Sequence, residues 1–70
     1  MTNMQKAMKR AVDFAGGLRP LARLIGTSPQ LISYMLRNKA SAGLVLAIEK
    51  ETEVSRHDLR PDIYPREEAA

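Results

Sequence analysis

Four polar residues recur at helical spacing near the middle of the chain. They are Gln30, Ser33, Tyr34 and Arg37, at positions i, i+3, i+4 and i+7. This spacing places them on one face of a helix, away from the apolar residues between them. Their amide, hydroxyl and guanidinium groups can hydrogen-bond base edges or phosphates. We therefore predict that this face reads bases in the major groove of double-stranded DNA.

Three of these residues have a second interpretation that the sequence leaves open. Arg37 can pair with guanine, a contact worth about 1–3 kcal/mol of discrimination, or it can bind phosphate near the helix end. Tyr34 can stack on a sugar or contact a thymine methyl, or it can cover the core beside Leu31. Gln30 is the candidate for an adenine contact, or a solvated residue of the first turn. Ser33 is small enough to let the helix approach the bases.

A second group of residues flanks this face and is predicted to bind phosphate. Thr27 and Ser28 place hydroxyls and amides at a helix N-terminus, which suits an anion, while simple capping accounts for at least one of them. The other candidates are cationic or amide side chains: Arg19, Arg23, Asn38 and Lys39.

Two short helices joined by a tight turn are predicted to position these residues. The earlier helix ends at Gly26, and the later one opens with Ser28 as N-cap and Pro29 as first residue. The core face of the earlier helix is predicted to contain Leu21, Leu24 and Ile25. The buried stripe of the later helix is predicted to contain Ile32, Met35 and Leu36.

A longer helix precedes this unit. Thr2 and Gln5 have capping-box spacing at its start, and Gly16 ends it. Its apolar stripe comprises Met4, Met8, Ala11, Val12 and Ala15, with Phe14 at the margin. This spacing is typical of an amphipathic helix with one face in the core.

Two more helices are predicted after it. Ser41 is predicted to cap the fourth, which runs to about Thr52. The fifth is very short: Ser55 and Asp58 have capping-box spacing, and Pro61 disfavours helix at the preceding residue. The sequence thus predicts an all-α fold of four or five helices. Residues 1–60 are expected to form a helix-turn-helix DNA-binding domain, and residues 61–70 a short C-terminal tail.

Charge is unevenly distributed along the chain. Residues 1–40 contain seven basic residues and one acidic residue, a net charge of +6, whereas residues 41–70 contain four basic and seven acidic residues, a net charge of −3. The two-helix unit lies in the basic part. This asymmetry favours a polyanionic partner there.

The composition argues against several other classes of protein. The chain has no cysteine, which excludes disulfides and thiolate zinc sites. His57 is the single histidine, without a constellation of groups for catalysis or metal binding, so we expect no enzyme, no cofactor and no metal. No apolar run approaches the roughly 20 residues of a membrane span, so we expect a cytoplasmic protein without a membrane segment.

Several short motifs occur together between residues 7 and 64. They are Gly16-Gly17, Leu21-Ala22-Arg23, Gly26, Ile32-Ser33, Ile48-Glu49 and Leu59-Arg60-Pro61-Asp62. In this combination the chain resembles the Cro-like, YdaS-type family of small helix-turn-helix proteins from prophages and toxin–antitoxin loci. The resemblance implies a fold of the lambda-repressor kind, with Ala22 between the two helices and Gly26 in the turn. It also implies an operator-binding repressor, often dimeric, that reads DNA with residues 29–38.

The chain departs from the pattern of that family in two places. Leu18 stands where such proteins often have a glutamine that holds a phosphate, and Arg19 is the neighbouring candidate for that role. Thr52 and Glu53 stand where members often have glycines, so the last helix is expected at a slightly different angle.

We expect a sequence-specific transcriptional regulator, a repressor of prophage or toxin–antitoxin type. Because one small domain makes few base contacts, a homodimer or higher homo-oligomer on operator DNA is expected. The alternative is an antitoxin or adaptor whose main role is to bind a protein partner, such as a toxin. The acidic C-terminal part, with apolar Ile63 and Tyr64, would then be the contact surface.

Overall fold

The computed structural model describes residues 1–66. This range contains five α-helices and one short 3-10 helix, and no β-strand. The elements are α1 (Asn3–Ala15), α2 (Leu18–Ile25), α3 (Pro29–Arg37), the 3-10 helix (Ala42–Leu44), α4 (Val45–Thr52) and α5 (Arg56–Leu59). The all-α prediction is confirmed, with α2 and α3 as the helix-turn-helix pair.

Local sequence signals set the ends of the first three helices. The predicted capping box is present at the start of α1, since Thr2 and Gln5 each bond the backbone N–H of the other. Gly16 and Gly26 end α1 and α2 with φ of +96° and +73°, a left-handed conformation that favours glycine. Ser28 caps α3, because its Oγ accepts a hydrogen bond from the backbone N–H of Leu31 at 3.2 Å.

One core unites the five α-helices. Its residues are each less than one-tenth exposed: Ala7, Met8, Ala11, Val12, Leu21, Ala22, Ile32, Met35, Ala40, Val45, Ile48, Val54 and Leu59. The α2–α3 pair packs against α1, which also contacts α4 and α5. Burying each large apolar side chain contributes roughly 1.5–3 kcal/mol. The central helix α1 therefore holds the helix-turn-helix pair in place.

The predicted core face of α2 is wrong at one residue. Leu21 and Ala22 are buried and Ile25 is partly buried, but Leu24 is half exposed. A helix of eight residues turns a single stripe toward the core, and the stripe through Leu21, Ala22 and Ile25 leaves Leu24 at its edge. The stripes of α1 and α3 are confirmed, with Phe14 exposed at the margin.

The fourth helix does not start where the sequence predicted. Residues Ala42–Leu44 form a 3-10 turn, and α4 begins at Val45. Ser41 precedes that turn without a side-chain capping bond. Gly43 lies within the turn, and its low helix propensity accounts for the later start of the α-helix.

The predicted capping box of α5 is half right. Ser55 Oγ accepts a hydrogen bond from the backbone N–H of His57 at 3.1 Å. Asp58, however, turns its carboxylate away from Ser55 and pairs with Arg10 at 3.0 Å and Arg66 at 2.7 Å. Two charged partners bind a carboxylate more strongly than one backbone amide does, which explains the difference.

Glu53 ends α4 in a backbone conformation that suits glycine. Its φ is +62°, in the left-handed region, and it is the only non-glycine residue with positive φ among residues 1–66. Cβ crowding makes this conformation unfavourable by roughly 1–2 kcal/mol for an L-residue. The position is one where the family resemblance leads us to expect glycine.

The segment after α5 folds back onto the domain. The backbone N–H of Tyr64 donates to Arg60 O at 2.8 Å, and Tyr64 O contacts His57 Nδ1 at 2.7 Å. The Tyr64 ring packs against the core, while Ile63 is 43% exposed. Of the predicted tail, residues 67–70 lie outside the described residues. None of the helices in the described part of the chain has the length and apolar composition to cross a membrane.

Candidate nucleic-acid interface

The outer face of α3 carries the four residues predicted to read bases. Gln30, Tyr34 and Arg37 are exposed and Ser33 is half-buried. Burial of Ile32 and Met35 on the opposite side fixes which face of the helix points outward. Tyr34 is 53% exposed, which favours its outward interpretation over a role in covering the core.

The positive charges around this face are not held in ion pairs, and only Lys39 lies close enough to a carboxyl group, that of Asp62, to lower its pKa. No acidic residue occurs between Asp13 and Glu49. The cations of this stretch are Arg19, Arg23, Arg37 and Lys39, and none of them forms an ion pair within residues 1–66. The surface of the α2–α3 pair is therefore positive.

Elsewhere in the described range, cations are mostly paired. The ion pairs there are Lys9–Asp13, Arg10–Asp58, Arg56–Glu49, Arg60–Asp62 and Arg66–Asp58, at 2.7–3.0 Å. All of these side chains lie on α1, α4, α5 or the segment after α5. The uncompensated charge of the domain is thus concentrated on the side that carries α3.

Three of the predicted phosphate-binding residues lie together beside the start of α3. Arg19, Arg23 and Thr27 line a shallow cavity of about 200 Å³, whose remaining walls are Ala22 and Pro29. Two guanidinium groups and a hydroxyl next to a helix N-terminus form an arrangement that suits a phosphate. Ser28 is exposed nearby, and while its Oγ accepts from the Leu31 amide, its hydroxyl hydrogen can still be donated.

The other two predicted phosphate contacts lie at the end of α3. Asn38 Nδ2 donates to Tyr34 O at 3.0 Å, so the side chain caps the helix as well as facing solvent. A carboxamide nitrogen carries a second hydrogen, which leaves one donor for a phosphate. Lys39 is exposed next to it. Asn38 and Lys39 therefore lie at the C-terminal end of α3, and the Arg19–Arg23 cavity lies at its N-terminal end.

Two residues that the sequence interpretation did not place at this site hold the end of α3. Gln5 Nε2 donates to Arg37 O at 2.6 Å, and Arg60 Nη1 donates to Ala40 O at 2.9 Å. The sequence predicts Gln5 only as part of a helix cap, and it places Arg60 in a motif of the family that the chain resembles. Because the partners lie 32 and 20 residues away in the chain, no local pattern could have revealed these contacts.

Hydrogen bonding to arginine lowers the pKa of three carboxyl groups, which lie on α4, on α5 and in the segment after α5. Arg60 binds both oxygens of Asp62 and lowers its pKa from 3.8 to about 2. Arg66 and then Arg10 lower the pKa of Asp58, and Arg56 lowers that of Glu49. These carboxylates are therefore charged at neutral pH and are engaged in holding the fold.

The described residues contain no group of three or more histidine, cysteine or acidic side chains placed to hold a metal ion. His57 uses Nδ1 to contact Tyr64 O, a structural role. Leu18, in place of the glutamine expected from the family resemblance, has no hydrogen-bonding side chain and is 36% exposed.

Comparison with known proteins finds one family. The sequence profile of the family described as bacterial toxin YdaS matches residues 8–68, most of the chain. No curated protein and no solved structure matches.

Proposed function

We propose that this chain, which belongs to the bacterial toxin YdaS family, is a sequence-specific DNA-binding repressor of prophage or toxin–antitoxin type. In this proposal α3 lies in the major groove, and the α2–α3 pair faces the phosphate backbone on both sides. Gln30, Ser33, Tyr34 and Arg37 contact base edges. The phosphate contacts come from Arg19, Arg23, Thr27, Ser28, Asn38 and Lys39.

One observation supports this proposal above the others. The exposed polar face of α3 lies in the stretch without acidic residues, and the cations of that stretch form no ion pair within residues 1–66. The helix presents an amide, two hydroxyls and a guanidinium, which can hydrogen-bond the base edges of a duplex. The surrounding cations can bind the phosphates on either side of the groove.

A pair of copies on one site follows from the small size of the interface. A single α3 reaches only a few base pairs, and most small helix-turn-helix proteins bind as dimers for this reason. Half-sites would then lie about one helical turn, roughly 34 Å, apart.

The alternative of a protein-binding role is weakened by the C-terminal segment. It depended on Ile63 and Tyr64 as apolar contacts, and the Tyr64 ring packs against the core of its own domain. The family is described as one of bacterial toxins. Toxicity fits the DNA-binding proposal if the protein inhibits growth by occupying regulatory DNA. Arg37→Ala would then weaken toxicity together with binding to the selected duplex.

The experiment that tests the proposal is selection of duplexes from a randomised library, followed by affinity measurements on the selected and scrambled sequences. Arg37→Ala is expected to weaken binding to the selected duplex about tenfold or more, because a bidentate guanine contact is lost. A smaller loss is expected on the scrambled duplex.

Lys50→Ala is the matched control. Lys50 is an exposed cation of α4 without an ion pair in the described range, so this variant changes net charge equally. It is expected to leave the preference for the selected duplex unchanged. Failure to enrich any sequence, or equal effects of the two variants, would contradict the proposal.

A further inference from the structure

We propose that Gln5 and Arg60 act as positioning residues for DNA reading, by fixing the C-terminal end of α3 from two sides. This inference rests on the proposed function for its effect on DNA, and on the structure alone for the clamp. Gln5 comes from the first turn of α1, and Arg60 follows α5. We call these two contacts the α3 clamp.

The first contact of the α3 clamp satisfies a carbonyl that the helix itself leaves unpaired. The last turn of an α-helix has four carbonyls without intrahelical donors. Arg37 O is one of them, and Gln5 Nε2 donates to it at 2.6 Å. The other end of the Gln5 amide is held as well, because Oε1 accepts from the Thr2 amide at 2.8 Å. The capping box of α1 therefore aims the Gln5 side chain at the end of α3.

The second contact fixes the backbone three residues later. Arg60 Nη1 donates to Ala40 O at 2.9 Å, while Nε and Nη2 bind the two oxygens of Asp62. The Arg60 side chain is only 13% exposed, and Ala40 is fully buried. A planar guanidinium held by a bidentate carboxylate has one orientation, so the position of Ala40 O is defined. This contact gives the motif Leu59-Arg60-Pro61-Asp62 a structural role.

The stretch between the two clamped carbonyls contains three of the proposed DNA contacts. Arg37 is exposed on the proposed base-reading face, and Asn38 and Lys39 follow it as proposed phosphate contacts. Base edges accept a guanidinium only in a narrow geometry, whereas phosphates tolerate small displacements. Loosening the α3 clamp should therefore reduce the preference for the correct sequence more than it reduces general DNA affinity.

Gln5→Met removes the clamp donor at similar side-chain volume, and Thr2→Val is its matched control. Thr2→Val removes the hydrogen bond from the backbone N–H of Gln5 to Thr2 Oγ1, in the same capping box. It leaves in place the contact of the Gln5 side chain with Arg37 O. Amide hydrogen exchange is measured first, without DNA. Gln5→Met is expected to speed exchange of the Asn38 amide about fivefold, the effect of losing one hydrogen bond. Thr2→Val should leave it unchanged.

DNA binding is then measured on the selected and scrambled duplexes. Gln5→Met is expected to lower the ratio of the two affinities about fivefold, and Thr2→Val to preserve it. In an Arg37→Ala background, Gln5→Met should cost little further selectivity, because both changes act through the same contact. Additive losses would overturn the positioning role and indicate general destabilisation.

Arg60→Lys tests the second contact while retaining the positive charge. A lysine cannot bind Ala40 O and both Asp62 oxygens with fixed geometry, so exchange of the Ser41 amide next to Ala40 should quicken and selectivity should fall. Unchanged exchange in both variants would overturn the clamp. Faster exchange in a protein that selects no DNA sequence would instead leave the clamp intact and refute the proposed function.

Discussion

Removing the cations beside α3 one at a time should lower the salt dependence of DNA binding in equal steps. Each phosphate neutralised on B-DNA contributes about 0.9 to the slope of log affinity against log salt concentration. Arg19, Arg23 and Lys39 are the three cations assigned to phosphate. They give a slope of about −2.7 per protomer and about −5.4 for two copies on one duplex. If Arg37 also binds phosphate, the value per protomer becomes about −3.6.

The assay is fluorescence anisotropy with a scrambled duplex over a series of salt concentrations. A scrambled sequence isolates the phosphate contribution, because base contacts contribute little to non-specific binding. Lys39→Ala is expected to reduce the magnitude of the slope by about 0.9 per protomer. Arg37→Ala decides between its two interpretations: an unchanged slope indicates a base contact, and a reduced slope a phosphate contact.

Lys50→Ala is again the control, since it removes the same charge from α4. Its slope should match that of the unmodified protein. If Lys50→Ala lowered the slope while Arg19→Ala, Arg23→Ala and Lys39→Ala did not, the DNA-facing surface would lie elsewhere. That outcome would refute the assignment of the α2–α3 surface.

Two further predictions concern stability. Glu53→Gly should raise the free energy of unfolding by about 0.5–1 kcal/mol, because relief of the left-handed strain exceeds the entropy that glycine adds to the unfolded chain. Chemical denaturation measures this change. Lys50→Gly, in the same helix, is the control and should lower the free energy of unfolding. The lowered pKa of Asp62 means that its pair with Arg60 stabilises the fold fully above about pH 4 and is lost as the pH falls toward about 2. Asp62→Asn should therefore make the acid-induced loss of stability shallower over that range, with Asp58 and Glu49 accounting for the rest, and an identical acid profile would contradict the assignment.

Helix ends were the features that the sequence predicted best. The residues at these ends bond groups only a few residues away, so local spacing is enough to predict their roles. They are Thr2, Gly16, Gly26 and Ser28. The polar face of α3 was predictable for the same reason, since a period of 3.6 residues separates it from the buried stripe.

The errors arose where distant residues compete for the same group. Asp58 was predicted to cap its own helix, but Arg10, 48 residues away, and Arg66 bind it instead. Leu24 has the spacing of a core residue, yet its exposure depends on how α2 is rotated against α1 and α4. The contacts of Gln5 and Arg60 with the end of α3 could not be predicted from the sequence, because the bonded residues are 32 and 20 positions apart in the chain.

The α3 clamp has a consequence for the order in which the protein folds. The α2–α3 pair is formed by residues close together in the chain, so its packing requires little loop closure. Both clamp contacts join segments 32 and 20 residues apart. During synthesis, the helix-turn-helix and its Gln5 contact can form before residues 60–62 leave the ribosome, but the Arg60 contact that completes the α3 clamp forms only afterwards. A newly made chain should therefore acquire general DNA affinity before it acquires sequence selectivity.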